Sequence, residues 1–491
     1  MMSCGGKSEN PNAHLEMSYY GSLRNEEWNL NPEKLHDELG RLVKSSTKQM
    51  KADRKAIDYY QAHGELLWVN RQGVSSQADS LLASLRLVGE MGLNADEFFV
   101  AQIERDLNRM RQFTFSESHP ICKVAARLEL NLTKAFLRLT AGQRFGFVNP
   151  SNVFNRLDPV EGDTTGKRFK TLFGLPMQHA GEEFFSKALR MIKNDSVVPF
   201  LHECKPQDSL FYQLQHRLQQ GTANQVERKV LLCNMERCRW RFYERPADYR
   251  KYVMVNIANF RLEAVGGSEP LTMKVGCGTT RTKTPLLTSK INLIQLNPVW
   301  VMPKSIVEKD IVRHLGDDDY FERNNYYVYE VSTGRHIDLE EVTVDMLHSG
   351  KYKVAQQGGA GNALGRIIFR FPNDFSVYLH HTSSPGFFRR DDRGVSHGCV
   401  RVEQPFELAK FLLADKDEEF LERVHYSITA DLEAEDLQRS KLLRSVEVSP
   451  PVPLFITYYT AYPDTNGQLQ YYKDVYGYDD VLFEHLAWIT N

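Results

Sequence analysis

Residues 378–405, YLHHTSSPGFFRRDDRGVSHGCVRVEQP, decide how the rest of this chain is read. They set a cysteine inside the tight run Ser396-His397-Gly398-Cys399-Val400-Arg401, nineteen residues after His380. Cysteine is the strongest side-chain nucleophile near neutral pH, provided that a neighbour takes or balances its proton. A histidine close in space does that. Glycine before the cysteine lets another backbone or a substrate approach closely. It also leaves the main-chain amides of His397, Gly398 and Cys399 as natural donors to a developing oxyanion. The run therefore reads as a cysteine acyl-transfer site, in which pairing with a histidine is expected to pull the Cys399 thiol well below 7.

Other readings compete on these residues alone. The segment would also make a hydrogen-bonded structural turn around an inert thiol. His380, His381, His397 and Cys399 are potential zinc ligands, but adjacent histidines and an H-G-C triplet lack the spaced pairs of zinc sites. A papain-like arrangement puts its histidine far downstream of its cysteine, whereas here the candidate base lies upstream. In SVYLHHT neighbouring side chains point to opposite faces if the strand is regular, so His380 and His381 cannot both face Cys399. Arg401 is suited either to a substrate carboxylate, held bidentately, or to bracing the loop through a carbonyl or Glu403.

Outward from this stretch the chain divides by periodicity. Before about residue 245 the apolar spacing is helical: Leu81, Leu82, Leu85 and Val88 share one face after a Ser76 cap, and Asn94 caps a second helix with Phe98 and Ile103 inward. Pro120 opens a longer helix through Val124, Leu128, Leu132 and Leu137 that ends near Gly142, and further helical stretches lie around 182–192 and 225–242. After Tyr249 the pattern shortens to β-branched and aromatic runs between Gly, Pro, Asn and Ser, which predicts a mainly antiparallel sheet or sandwich. Between Pro303 and about Gly358 lies a charged insertion, expected as helix plus loop.

At 491 residues the chain is too long for one ordinary core. Its 61 basic and 63 acidic residues give a net charge of −2, which argues against nucleic acid or an anionic membrane as the main partner. Seven scattered cysteines with no C-x-x-C make a disulfide scaffold an unlikely reading. At the N-terminus, Ser3-Cys4-Gly5-Gly6 before a polar tail resembles the end of a lipoprotein signal, with Cys4 as the lipidated residue.

The arrangement H-x-T, a short loop, then S-H-G-C-[VI]-R resembles the signature of the L,D-transpeptidases, whose YkuD-type domain acts in bacterial cell walls. YVMVNIANFRLEAV (252–265), residues 282–311, GNALGRIIFRFPNDFSVYLHHT (361–382) and residues 453–477 resemble the large, multi-domain, periplasmic YcbB-like subgroup. The resemblance implies an α+β protein: a tail at 1–14, a mainly helical scaffold at 15–245, a β-sandwich catalytic domain at 246–440 with a capping insertion at 303–358, and a return segment at 441–491. Residues 209–240 are too few for the three-helix peptidoglycan-binding module that many members carry there.

The same resemblance implies roles. Cys399 is the nucleophile and His380 the general base and acid, its second nitrogen oriented by His381, Thr382 or a main-chain carbonyl. Arg401, Ser396, Tyr378, Asn362 and Trp300 are expected around the substrate, and Tyr320, Tyr326, Tyr327 and Tyr329 along the cleft under the cap. The implied donor is a peptidoglycan tetrapeptide stem that loses its terminal D-alanine, with 3→3 cross-linking to a neighbouring stem or L,D-carboxypeptidase action with water. Other cell-wall enzymes are expected partners, β-lactams expected ligands, and no metal or organic cofactor is implied. The implied location is the periplasm, with a membrane anchor only through Cys4. A non-catalytic wall-assembly platform is the competing class, and such a platform would be expected to have lost the cysteine, the base or the glycine.

Overall fold

A helix at Ile121–Phe145 is the axis of the N-terminal half, and it is buried on nearly every side, the polar Glu129, Thr133 and Arg138 among its buried residues. The helices Pro32–Ser45, Lys51–Gln61 and Val100–Gln112 pack against it. The computed structural model describes residues 31–490 apart from 47–49, 63–64, 71–72, 161 and 268; Cys4 lies outside the described residues. The start signals act much as read. Asn94 accepts from the Asp96 amide and opens a 3-10 turn at Ala95–Phe98, with Phe98 and Ile103 fully buried. The cap of the Ser76–Arg86 helix is Ser75, one residue before the expected Ser76, because its hydroxyl accepts from the Gln77 amide.

Several buried polar groups inside this half are paired. The buried Arg138 grips the buried Asp53 through two bonds of 2.7 Å. The Glu129 carboxylate accepts from Tyr60, Trp68 and Val69 at 2.8–3.1 Å and from the Leu67 amide. Residues 209–239 are a helical hairpin, Ser209–Gln219 and Gln225–Arg239.

From Tyr252 the chain is a sheet of nine strands: β1 Tyr252–Asn256, β2 Arg261–Val265, β3 Leu271–Gly278, β4 Leu287–Leu296, β5 Ile367–Arg370, β6 Leu379–His380, β7 Gly394–Ser396, β8 Val400–Val402 and β9 Ser445–Thr457. Their order is β7-β3-β8-β6-β5-β4-β9-β1-β2, and β2 pairs back onto β3. Eight strands thus form a closed ring of pairings, with β7 alongside β3. Most pairs are antiparallel; β6–β8, β7–β3 and β9–β1 are parallel. Alternate residues such as Val253, Val255, Ile291, Phe369, Leu379, Val400 and Leu454 point inward and are fully buried. One core runs on from these side chains into the helical half.

The return segment from residue 441 is integral to this ring, because β9 lies between β4 and β1. The chain beyond it then binds the scaffold. Thr460 donates its hydroxyl to Asp479 at 2.6 Å and its amide to Asn234 at 3.1 Å, while Arg237 pairs with Asp479 at 2.6 Å. The insertion differs from expectation. It is a four-stranded antiparallel sheet of Trp300–Val301, Tyr352–Gln356, Tyr326–Glu330 and His336–Ile337, with short helices and a separate core around Phe321, Val328 and Val354. The run YYVYE is β-branched and aromatic, and its alternation outweighs the surrounding charge.

Replacing Arg138 by Met would strand the Asp53 carboxylate in the core and is expected to lower stability by about 3–5 kcal/mol. In urea denaturation the double variant Asp53→Val with Arg138→Met should recover most of that loss. Equal losses in the single and double variants would trace the effect to packing rather than charge.

Candidate active site

The parallel pairing of β6 with β8 sets Leu379 against Val400 and His380 against Arg401, fixed by a 2.9 Å bond from the Val400 amide to the Tyr378 carbonyl. Side chains alternate along a strand. Leu379, Val400 and Val402 therefore turn into the core, while His380, Arg401 and, continuing the alternation, Cys399 take the other face. In this register Cys399 stands level with Tyr378, one diagonal step from His380.

His380 is 3% exposed and held by its ring. Its Nδ1 lies 2.6 Å from the His381 carbonyl and 3.3 Å from that of Leu364. A carbonyl only accepts, so Nδ1 carries the proton and Nε2 bears the lone pair. Of the three expected orienting groups, the main-chain carbonyl is the one used. His381 turns the other way, its Nδ1 accepting from the Arg366 amide at 3.3 Å. His397 is exposed.

The turn carrying Cys399 is clamped from inside. Gly398 has φ +120°, a conformation that an L side chain rarely adopts. An added Cβ there would meet nothing closer than 3.7 Å, so backbone conformation, not close approach, is what requires glycine. Ser396 Oγ accepts from the Gly398 amide at 3.0 Å and donates to the Cys399 carbonyl at 2.5 Å. Two expectations change as a result. Ser396 is buried with both capacities used and clamps the turn rather than facing a substrate. The Gly398 amide is already engaged, so of the three expected oxyanion donors those of His397 and Cys399 are the ones left.

Threonines brace the same turn: Thr282 donates to the Ser396 carbonyl at 2.7 Å and Thr284 to the Gly398 carbonyl at 2.9 Å. Tyr476, far along the chain, accepts from the Thr284 amide at 3.1 Å and donates to the Gly278 carbonyl at 2.8 Å. A Cβ at Gly278 would fall 2.0 Å from the Thr282 carbonyl, so this bend needs glycine for space. No local sequence signal marks these braces, because their partners come from distant segments.

Arg401 lies over the Phe387 ring, 5.7 Å from its centroid, and its Nε is buried without a hydrogen-bond partner. The expected brace through Glu403 is not made, since that carboxylate accepts from the Lys274 amide at 3.0 Å. Asn362, expected near the substrate, is 1% exposed, and its Nδ2 is within bonding distance of the carbonyls of Pro298, Gln356 and Gln357. It frames the base of the insertion instead. Tyr378 is half-buried beneath Arg370, and Trp300 packs against the insertion core. Tyr320 and Tyr326 also pack there, Tyr320 stacked on His314 at 3.7 Å, rather than along an open cleft. Among the described residues no three His, Cys, Asp or Glu side chains converge on a point that would hold a metal ion.

The family model for the YkuD L,D-transpeptidase catalytic domain matches residues 250–425. A model for a Scaffold domain matches residues 54–218, within the helical half. A Haemophilus influenzae protein named "Putative L,D-transpeptidase" is 27% identical over 308 residues, covering 62% of this chain and 59% of that protein. Two solved structures were also matched. One, an L,D-transpeptidase from Mycobacterium smegmatis, is 14% identical over 42% of this chain and 58% of its own. The other, L,D-transpeptidase 3 from Mycobacterium tuberculosis, is 10% identical over 42% and 61%. Both have a TM-score of 0.20, too low to establish a shared arrangement.

Within residues 250–425, electrostatics run opposite to the expected thiolate. Burial raises the Cys399 thiol above its ordinary value, opposed by a backbone bond from Tyr378 and by Arg401. Burial, and then Arg401, lowers His380 to about 4. A protonated His380 would be a second buried cation beside Arg401, and a thiolate would lose its hydration. Thiol and imidazole are therefore both neutral across the intervening pH range.

Alkylation of Cys399 by iodoacetamide, followed by peptide mass spectrometry, should rise with an inflection above that of an ordinary cysteine. An inflection below 7 would reveal a resting ion pair. The His380 ring should titrate near 4 by NMR, and Arg401→Gln should move that midpoint upward because it removes the neighbouring cation.

Proposed function

We propose that this protein is a cysteine-dependent L,D-transpeptidase that acts on peptidoglycan stem peptides. The observation carrying this reading is the placement of Cys399 and His380 on the same face of adjoining strands. His380 has its Nδ1 proton committed to a carbonyl and its Nε2 lone pair available. Retention of the cysteine, the base and the glycine weighs against a non-catalytic platform.

In the proposed reaction His380 Nε2 takes the thiol proton as sulfur attacks the carbonyl carbon of the third stem residue. The amides of His397 and Cys399 hold the oxyanion. The C–N bond breaks, His380 returns its proton to the leaving D-alanine amine, and a thioester remains. A side-chain amine of a neighbouring stem then attacks the thioester and gives its proton through His380 to the departing sulfur, leaving a 3→3 cross-link. Water in place of the amine makes the outcome L,D-carboxypeptidation. Arg401 is suited to a stem carboxylate, and the half-buried Tyr378 to a wall of the donor groove.

Such chemistry belongs in the periplasm, with a lipid on Cys4 as the proposed anchor and other wall enzymes as proposed partners. A β-lactam, as a strained acyl donor, would acylate the same sulfur.

Incubation with purified disaccharide-tetrapeptide, read by mass spectrometry, should give a cysteine-dependent loss of D-alanine with a joined dimer. Tripeptide monomer alone would assign carboxypeptidase activity. Cys399→Ala should fold yet release no D-alanine, and release by that variant would remove Cys399 as nucleophile.

A further inference from the structure

The link between β3 and β4, residues 281–286, is gripped from two sides. Thr282 and Thr284 turn toward the reactive turn and donate to the Ser396 and Gly398 carbonyls. Lys283, between them, turns the other way and pairs with Asp158 of the scaffold half at 2.6 Å. The two side chains are 10% and 17% exposed, so solvent and salt screen this pair little. On either side of it the link is tied to the same scaffold segment. The Arg281 carbonyl accepts from Lys170 Nζ at 3.3 Å. The Leu286 amide donates to the Leu172 carbonyl at 2.9 Å, and its carbonyl accepts from the Gly174 amide at 2.8 Å. Asn155 steadies that segment from within, accepting from the Leu172 and Phe173 amides at 2.8 Å each.

The other flank of Cys399 is propped from the same place. Cys399 Sγ lies 4.0 Å from the Ser376 carbonyl. Ser376 has φ +54°, a region that residues other than glycine seldom enter, so its loop needs holding. Asn373 does part of that, accepting from the Phe375 and Val377 amides at 3.0 and 3.2 Å and donating to the Phe371 and Val377 carbonyls at 2.9 and 3.0 Å. The scaffold does the rest. Phe375, next to Ser376, presses its ring on Gly174, where an added Cβ would fall 2.5 Å from the ring. Glycine is therefore what lets the ring, and the carbonyl beside it, sit where they do.

We infer that scaffold residues 155–174 are a positioning element for the thiol. They act through the Asp158–Lys283 pair on the turn that carries Cys399, and through Gly174 and Phe375 on the carbonyl that faces its sulfur. Asp158, Lys283 and Gly174 are positioning residues, since each acts on Cys399 through another group. The helical half thus sets the reactivity of the cysteine as well as supporting the sheet. The inference rests on Cys399 being the nucleophile proposed above.

Hydrogen exchange and pH-dependent iodoacetamide alkylation of the full chain, both read by peptide mass spectrometry, test this. Lys283→Met should speed amide exchange across residues 396–400 by about tenfold or more, while the Ile121–Phe145 helix exchanges as in the parent. The same variant should move the Cys399 alkylation inflection down toward that of an ordinary cysteine, because a loosened turn rehydrates the thiol. Lys283→Arg, which keeps the charge opposite Asp158, should restore both readouts. Gly174→Ala should move the inflection through Phe375 with the ion pair intact. Asp158→Asn reads the same pair if Lys283→Met fails to fold by circular dichroism. Parent-like exchange and alkylation in the Lys283 and Gly174 variants would overturn the inference. So would exchange that quickens equally in the turn and the scaffold helix, which would reduce the pair to general stability. Neither readout uses a stem peptide, so failure of the proposed reaction and failure of the positioning role are separate results.

Discussion

The register between two short parallel strands is the constraint on which the site depends. Side chains on a strand alternate with period two, so a slip of one residue exchanges its faces. With Leu379 level with Val400, the apolar members fill the core and His380, Cys399 and Arg401 share the opposite side. A slip by one would offer the core a histidine and an arginine in place of leucine and valine. The hydrophobic effect that closes the ring of strands thus also aims Cys399 and His380. Because β6 and β8 come from segments on either side of a long loop, only the completed sheet holds them in register.

Around that register the protein uses main-chain atoms where a catalytic side chain would be expected to have a side-chain partner. The His380 ring is oriented by carbonyls, and the reactive turn is held by a serine and two threonines that bond to carbonyls and an amide. These partners carry no formal charge, so they fix geometry without pulling either member of the pair into its ionised form. Arg401 is the one charge close by, and it favours the thiolate while opposing the imidazolium. The result is a reserve of unionised thiol and imidazole.

Much of this was legible in the sequence, for reasons that can be named. Helix caps such as Asn94, and the alternation in β1, are local rules that tertiary structure did not override. The cysteine and its histidine stand out in the sequence because their chemistry and spacing are distinctive, and the choice of His380 over His381 rests on strand alternation and the family spacing. What stayed hidden depends on burial or on distant partners. Ser396 and Asn362 are polar residues beside the site, but whether such a residue faces solvent or closes a turn is decided by neighbours from elsewhere. The direction of the Cys399 shift was misread for the same cause, since a paired thiol falls and a buried one rises, and depth is not written in a motif. The sheet within the insertion was masked by the acidic run at Asp317, Asp318 and Asp319, which flanks it.

The return of the chain through β9 and Tyr476 has a bearing on the order of events during synthesis. A chain halted before residue 445 has no strand to set between β4 and β1, so the ring stays open and the core beneath Cys399 stays wet. A chain halted before Tyr476 lacks the hydroxyl that props the Gly278 bend against the reactive turn. The thiol is therefore assembled as one of the last acts of folding. A nascent chain carries only an unaligned cysteine, and its alignment with His380 arrives with the finished molecule.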